Sequence, residues 1–414
     1  MINPYMEEKM KDFNRVGIEK IGIFIPQKYI DLSKLATYRG IDPLKWTEGI
    51  GQERMSIMTI KQDVVSMGAN ACLKILDDED KKTIDQVIFA TESALDFSKA
   101  SSTYIHKLLG IQPFAKSYEI KQACYSATAA IQLATDYVRL RPDRKVIIIA
   151  SDISKYGLRS SGEATQGAGA IAILISSNPK VMEITQQSVS LTEHSFDFWR
   201  PNYSDYPFVE GKFSTQLYID SFIRLAVEFE NRYPGKLGRL EAILFHLPFS
   251  KMGRKALKAL QKELEEGRVQ IEGLSKNFEK LYENYEKSII FGKEIGNIYT
   301  GSLYLGLLSL LLNADIAGNS EIALFSYGSG AVAELYVGKL NENYKQYLHR
   351  EDINYLLAKR EELSIEDYEN EYFDDQPTRS QEYIENKEPS DIEEGYYLEK
   401  VVEDKRFYKY KGKN

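Results

Sequence analysis

The sequence predicts an α/β protein with a layered sheet, and three observations point there. Strand-like apolar runs alternate with helical-period segments from Val16 onward. The runs Val87–Ala90 and KVIIIASD, ending at Asp152, read as buried strands. The second half repeats the theme of the first: a strand ends at a reactive residue, a helix follows, and a glycine-rich turn precedes the last strand. No repeat is visible in the residues themselves, so the duplication is a structural expectation.

Met1–Arg15 reads as a flexible or loosely helical extension. Val16–Ile30 is a strand ending near Pro26, DLSKLATYRG a short helix stopped by Gly40, and Gly49–Ile57 a glycine-containing turn into a strand. An amphipathic helix is expected over Gln62–Leu76. The strand Val87–Ala90 delivers Thr91, Glu92 and Ser93 at its end, and Ala100–Leu109 forms a helix. Tyr118–Val138 opens as a strand, presents Cys124 and continues as a helix whose Ala127, Ala130 or Ile131, Ala134 and Val138 mark one buried face. Ser161–Ala170 is a turn of small residues leading into a strand. Its Gly167 and Gly169 permit close backbone approach, a weak signal for phosphate binding when it stands alone. The tract SFDFWRPNYSDYPFVEG is a loop of the kind that forms a binding wall or lid.

Ser214–Arg232 is helical, Glu241–Phe245 is a strand delivering His246, and SKMGRKALKALQKEL is a basic helix. GNIYTGS opens the helix YLGLLSLLL. Glu321–Ser326 is a strand followed by the turn YGSG and the strand AVAELYVG. From about His349 the chain becomes acidic and tyrosine-rich. It carries one capped helix, SIEDYENEY, with Ser364 and Asp367 at capping-box spacing, and ends in a strand or hairpin, YYLEKVVEDKRFYKYK. The expected organisation is an extension (1–15), a first half holding the cysteine (16–178), a second half holding the histidine (179–347) and an acidic tail packed on the core (348–414).

A chain of 414 residues can bury a large core. Its net charge of -8 argues against a general nucleic-acid binder, and an anionic substrate would need local basic groups. Two cysteines make no disulfide framework and fit a reducing cytoplasm. Cys72 lies in a helical pattern and reads as core. Four histidines without paired cysteines give no zinc site. No apolar run is long enough to cross a membrane, and the first residues lack the apolar centre of a signal peptide.

Cys124 stands just before a helix, where free N–H groups and the helix dipole favour a thiolate. That suits a catalytic nucleophile, although this segment alone is equally compatible with a buried structural cysteine.

TESALD around Glu92, EIKQACYSATAA around Cys124, GEATQGAGA, DFWRP, FHLPFSKMGRKAL around His246, GNIYTGSLY and FSYGSGAVAE together resemble 3-hydroxy-3-methylglutaryl-CoA synthase, from about Val16 to about Tyr347. The resemblance implies a thiolase-like five-layer αβαβα fold built from two similar halves, and a homodimer. It implies an acyltransferase that joins acetyl-CoA to acetoacetyl-CoA through an acetyl-cysteine, with no cofactor beyond the CoA thioesters. Cys124 would be the nucleophile, Glu92 the general acid/base and His246 the group orienting the acetoacetyl ketone. The N–H groups of Cys124 and Ser329 would form the oxyanion hole. Asn297 and Ser329 would contact substrate, and Lys251 and Lys255, four apart on a helix, would meet the CoA phosphates. Asp42, Thr165 and Ser214 match other ligand-contacting positions, and Asp96, Asp152 and Asp197 would orient the groups that touch substrate.

Three positions depart from the family pattern. Ala164 replaces a proline, loosening the GEATQGAGA turn; Glu210 replaces an aspartate; and Phe97 replaces a smaller residue. SALDFSKASSTYIH, KQACYSATA and ASDIS also resemble polyketide-pathway relatives, which take acetyl from an acyl carrier protein. GEATQGAGA, DFWRP and GNIYTGSLY favour the free-CoA enzyme. A β-ketoacyl carrier-protein synthase would lack a base like Glu92, and a non-catalytic binding protein would show no acetyl transfer to Cys124.

Overall fold

Successive residues of the buried strands face two different cores, and that alternation sets the architecture. The computed structural model describes residues 15–374, 383–384, 389 and 392–412. The expected N-terminal extension, up to residue 14, and part of the acidic tail lie outside them. Among the described residues one mixed sheet has nine strands. The first half supplies β1 (Gly17–Phe24), β2 (Ile84–Ala90), β3 (Lys116–Ile120), β4 (Lys145–Ser154) and β5 (Gly167–Ser176). The second supplies β6 (Met182–Thr192), β7 (Ala242–Phe245), β8 (Glu321–Gly328) and β9 (Val332–Leu340).

The order across the sheet is β7-β8-β9-β6-β1-β5-β4-β2-β3. Outward from the middle, each half runs first strand, last strand, penultimate strand, second strand. The pairing senses match as well: β1/β5 and β6/β9 are antiparallel, whereas β2/β4 and β7/β8 are parallel. Topology thus carries the duplication that the residues hide. The second half has no counterpart of β3, and the halves join through the pairs Gly17↔Glu183 and Ile18↔Met182. Strand β6 escaped the sequence reading because MEITQQSVSLT is mostly polar and only partly buried.

Side chains alternate across a strand. Ile88, Val146, Ile148, Ile171 and Ile173 of the first half and Leu244, Ile322, Leu324 and Tyr336 of the second therefore share one central core. Helices α1 (Val64–Leu73) and α2 (Ser101–Leu109) cover the opposite face of the first half, packing on Val87, Phe89, Ile147 and Ile149. The central core is filled by α3 (Ser126–Leu140), through Ala127, Ala130, Ala134 and Val138, and by a leucine-rich helix, Ser302–Asn313. On the far side of the second half, α4 (Gly211–Arg232), α5 (Met252–Glu265) and α6 (Phe278–Ser288) cover Ile243, Phe245, Ala323 and Phe325. The layers run helix, first-half strands, helix, second-half strands, helix, with the leucine-rich helix, α7, in the middle.

The helix expected to be amphipathic over Gln62–Leu76 is shorter, and every residue from Val64 to Cys72 is buried. Its would-be solvent face is covered by a C-terminal hairpin, β10 (Gly395–Val402) and β11 (Lys405–Lys411). Asn70 clamps that hairpin: its Nδ2 donates to the Tyr396 carbonyl at 2.9 Å and its Oδ1 accepts the Tyr396 N–H at 2.6 Å. Tyr408 donates to Asp63 at 2.6 Å, at the capped start of α1. Cys72 is wholly buried, and burial pushes its thiol up. The tail helix α8 (Ile365–Asp374) begins as expected, with Ser364 Oγ accepting the Asp367 N–H at 3.0 Å.

Replacing Asn70 with alanine strands two backbone groups of Tyr396. The variant should be less stable by about 1–3 kcal/mol, seen as a lower urea midpoint. An unchanged midpoint would mean that the hairpin is held elsewhere.

Candidate active site

In both halves the chemistry-bearing residues emerge where parallel strands end, the edge at which open α/β sheets bind ligands. Glu92 follows β2, Cys124 follows β3 and Asp152 lies near the end of β4; β2 runs parallel to both β3 and β4. His246 follows β7 and Ser329 follows β8, its parallel neighbour.

Cys124 and Glu92 are in direct contact, with Sγ donating to Oε1 at 2.7 Å. Asp152, wholly buried, fixes the carboxyl-bearing segment. Its Oδ1 accepts the N–H groups of Glu92 at 2.8 Å and Ser93 at 3.1 Å, and the hydroxyls of Thr91 at 2.8 Å and Ser93 at 2.9 Å. Its Oδ2 accepts the N–H of Thr300 at 3.1 Å and its hydroxyl, tying the entry to α7 to the same point. Burial first, and the Asp152 charge second, push the Glu92 carboxyl up to about 8.

The thiol corrects an expectation. The helix dipole was expected to favour a thiolate, yet Cys124 is held well above its ordinary range, by burial and then by the Glu92 charge. It also lies two residues before α3 begins at Ser126. Desolvation and a neighbouring carboxylate outweigh the dipole. The preceding residue, Ala123, has φ 46, a left-handed conformation that costs a non-glycine residue on the order of 1–2 kcal/mol.

The turn after β8 closes over the cysteine. A side chain at Gly328 would strike the Gln122 carbonyl at 2.5 Å, and Gln122 Nε2 donates to the Ser329 carbonyl at 3.3 Å. Asp197, fully buried, anchors this turn by accepting the Gly330 N–H at 2.9 Å and the Tyr327 hydroxyl at 2.8 Å. His246 is 2% exposed, and its Nδ1 has no partner among the described residues. Burial pushes the imidazole down to about 3, so the ring is neutral. It connects to the Ser329 turn through Tyr218, which bonds the His246 carbonyl at 2.7 Å and packs edge-on to Tyr327.

Asn297 is buried, and its Oδ1 accepts the Tyr299 N–H and the Ser302 hydroxyl, each at 2.8 Å. The close approach permitted by Gly167 serves this residue: a side chain there would meet the Asn297 backbone within 3 Å. Two tyrosines absent from the sequence-derived set, Tyr156 and Tyr299, lie in the electrostatic reach of Cys124 and Glu92. Tyr299 stood inside the GNIYTGS motif; Tyr156 carried no signal. Arg200, in the DFWRP motif, donates to the Glu92 carbonyl.

A cleft of about 2100 Å³ opens on this centre, lined by Glu92, Asp96, Gln122, Ser329, Trp199 and Arg200 among others. The tract expected to form a wall does so, with a small hairpin pairing Phe198 and Trp199 to Val209 and Phe208. A second cavity of about 10 Å³ lies between Asn297, Leu247, Ser250 and Gln52. Lys251, next to Ser250, abuts Gly51, and Asp42 sits in the turn leading to that segment. Neither Lys251 nor Lys255 has a carboxylate partner among the described residues; Lys255 lies 5.0 Å from the Phe249 ring centre. Cys124, His246, Asp42, Thr165, Ser214, Lys251 and Lys255 line neither cavity. Thr165 bonds the Gly162 carbonyl at 2.8 Å, Ser214 lies in the first turn of α4, and Asp96 accepts the N–H groups of Ser98 and Lys99. The turn with Ala164 is not loose: Glu163 beside it is buried and gripped by Arg39 at 2.8 Å.

Residues 12–180 match the family model described as hydroxymethylglutaryl-coenzyme A synthase N terminal, and residues 182–281 and 260–411 match its C-terminal counterpart. The chain belongs to the hydroxymethylglutaryl-CoA synthase family. It is 48% identical over 355 residues to the hydroxymethylglutaryl-CoA synthase of Enterococcus faecalis, covering 86% of this chain and 90% of that one. The crystal structure of an HMG-CoA synthase complexed with CoA superposes with a TM-score of 0.88 at 41% identity, covering 97% of this chain and all of that one. The polyketide-biosynthesis 3-hydroxy-3-methylglutaryl-ACP synthase of Bacillus subtilis (strain 168) is more distant, 29% identical over 371 residues, 85% of this chain and 87% of that one. The chain is therefore an acyl-transferring condensing enzyme with the thiolase-like fold of its family. No helix among its described residues is long and apolar enough to cross a membrane.

The raised Glu92 carboxyl predicts a pH signature. Below its ordinary value of 4.5 the group is protonated folded or unfolded, so it exacts no penalty. Between that value and about 8 the unfolded chain ionises while the folded protein keeps its proton, and native stability falls with rising pH. Glu92→Gln cannot ionise. Its thermal midpoint relative to wild type should therefore climb from pH 5 to pH 8 and then level off. A constant difference over that range would contradict the raised carboxyl.

Proposed function

We propose that this enzyme condenses acetyl-CoA with acetoacetyl-CoA and water to give 3-hydroxy-3-methylglutaryl-CoA and CoA, the step that feeds the mevalonate route to isoprenoids. The observation that carries the reading is the contact of the Cys124 sulfur with the Glu92 carboxyl, in a chain of this family. The ionised fraction of Glu92 takes the Cys124 proton, and the sulfur attacks the acetyl thioester carbonyl. CoA leaves as its thiol, taking that proton from Glu92 and restoring the carboxylate, and the acetyl group stays on sulfur. The N–H groups of Cys124 and Ser329 hold the transient oxyanion, each such donor being worth about 3–4 kcal/mol.

Glu92 next takes a proton from the acetyl methyl. A carboxyl titrating near 8 is basic enough for this task and returns the proton readily. The resulting enolate carbon attacks the ketone of acetoacetyl-CoA, and the new alkoxide takes a proton. His246 and Asn297 orient the ketone; the unpartnered His246 Nδ1 and the ring's neutrality support this role. Water then cleaves the thioester on Cys124, giving the product carboxylate and the free thiol. Asp152 and Asp197 hold Glu92 and the Ser329 turn in place.

Lys251 and Lys255, without carboxylate partners among the described residues, meet the CoA phosphates, and Asp42, Thr165 and Ser214 contact other parts of the ligand. Asp96 steadies the loop along the large cleft. The thioester and proton transfers are complete with these side chains and need no further cofactor. The enzyme works in the cytoplasm as a homodimer. Strand β3, at the sheet's edge, with Phe97 72% and Phe114 87% exposed nearby, supports such an interface.

The test uses radiolabelled acetyl-CoA. Wild type should carry acetyl on Cys124 and release the condensed product when acetoacetyl-CoA is added. Cys124→Ser should carry none, and Glu92→Gln should lose about 10²–10⁴-fold in turnover. Wild-type turnover in Glu92→Gln would sink the mechanism. If only an acetylated carrier protein loads Cys124, the donor is a carrier protein and not CoA.

A further inference from the structure

The tail helix α8 reaches the backbone of Tyr156 and Gly157 through a run of hydrogen bonds. The Gly157 N–H donates to the Tyr372 hydroxyl at 2.8 Å, which donates to Gln166 Oε1 at 3.1 Å. The same Oε1 accepts the Tyr156 N–H at 2.8 Å. Gln166 Nε2 donates to the Tyr368 hydroxyl at 3.2 Å, which donates to Glu163 at 3.3 Å, and Glu163 is gripped by Arg39. Within this run each hydroxyl accepts a bond and donates one, which holds Gln166 in a single amide orientation. Gln166, Tyr368, Tyr372 and Glu163 are all buried.

What this run fixes is the backbone at Tyr156 and Gly157. The Tyr156 ring lies over Gly162, where a side chain would strike it at 2.8 Å, and stands edge-on to Tyr299 at 6.2 Å and to Phe198 at 6.0 Å. Its hydroxyl faces Asn297 and Tyr299, beside Cys124 and Glu92.

We propose that α8 is a positioning element for the catalytic pair: Tyr372 and Tyr368, acting through Gln166, seat the Tyr156 ring against Cys124 and Glu92, where it limits the water that reaches them from the cleft. The assignment of that pair rests on the function proposed above, but the seating can be read without substrate. The titratable groups facing Cys124 are Glu92 after β2, Asp152 on β4, Tyr156 after β4, Tyr299 before α7 and Tyr327 on β8, with Arg200 facing Glu92. Of these, only Tyr156 is seated by α8. If its ring shifts and water enters, the thiol is better solvated as a thiolate and ionises at lower pH.

The experiment follows alkylation of Cys124 by iodoacetamide against pH, with Cys72 silent because it is wholly buried. Tyr372→Phe keeps the ring and removes the hydroxyl. Its alkylation at pH 8 should be at least about fivefold faster than wild type, with the midpoint of the pH profile lowered. In the condensation assay kcat should fall about tenfold while KM stays within about twofold, the pattern of a misplaced catalytic group. The control is Tyr408→Phe, which removes a tail hydroxyl bonded to Asp63 at the start of α1. It should lower the thermal midpoint and leave the alkylation profile and kcat unchanged. The proposal is overturned if Tyr372→Phe alkylates and turns over like wild type, or if Tyr408→Phe alters both as strongly, since the tail would then act only by docking. A wild type that never condenses the two thioesters, combined with the predicted shift in alkylation, would refute the proposed reaction and leave the positioning role standing.

Discussion

Everything at this centre is arranged around one wholly buried carboxylate, Asp152. Asp152 collects donors from Thr91, Glu92, Ser93 and Thr300, so it fixes the exit of β2 and the entry of α7 at one point. Its charge also opposes ionisation of Glu92. Asp152 thereby sets where the Glu92 carboxyl sits and adds to the burial that favours its protonated form. The contact with Cys124 follows, because a neutral or shared-proton pair can stay 2.7 Å apart where two anions could not.

The two halves contribute unequally to this arrangement. The first supplies sulfur, carboxyl and anchor from three adjacent parallel strands. The second supplies the Ser329 turn and His246, held by Asp197 and Tyr218. Left-handed backbone at Ala123 and Tyr299 flanks the centre, and the surrounding hydrogen bonds sustain it. The chain beyond the second half is folded back over the first: the β10–β11 hairpin buries α1, and α8 buttresses the segment that carries Tyr156.

The sequence made the strand ends legible because strands buried on both faces read as unbroken apolar runs, and the residue that breaks the run is the one delivered at the edge. Glu92 after Val87–Ala90 and His246 after Phe245 were visible for that reason. Strand β6 was not, since its polar residues alternate with few apolar ones. The burial of α1 was invisible because its cover lies more than three hundred residues away. The state of Cys124 was misjudged for a related reason: the local dipole can be read from sequence, but the desolvation and carboxylate that overrule it are contributed by other strands. Tyr156 gave no sign because nothing in its neighbours distinguishes a tyrosine that walls a site from one that packs a core.

The central claim, that burial and Asp152 keep Glu92 protonated beside the thiol at neutral pH, is most directly tested by infrared difference spectroscopy between wild type and Glu92→Gln. The account predicts a protonated-carboxyl C=O band at pH 6 that is replaced by carboxylate bands as pH passes about 8. Carboxylate bands already present at pH 6 would contradict it.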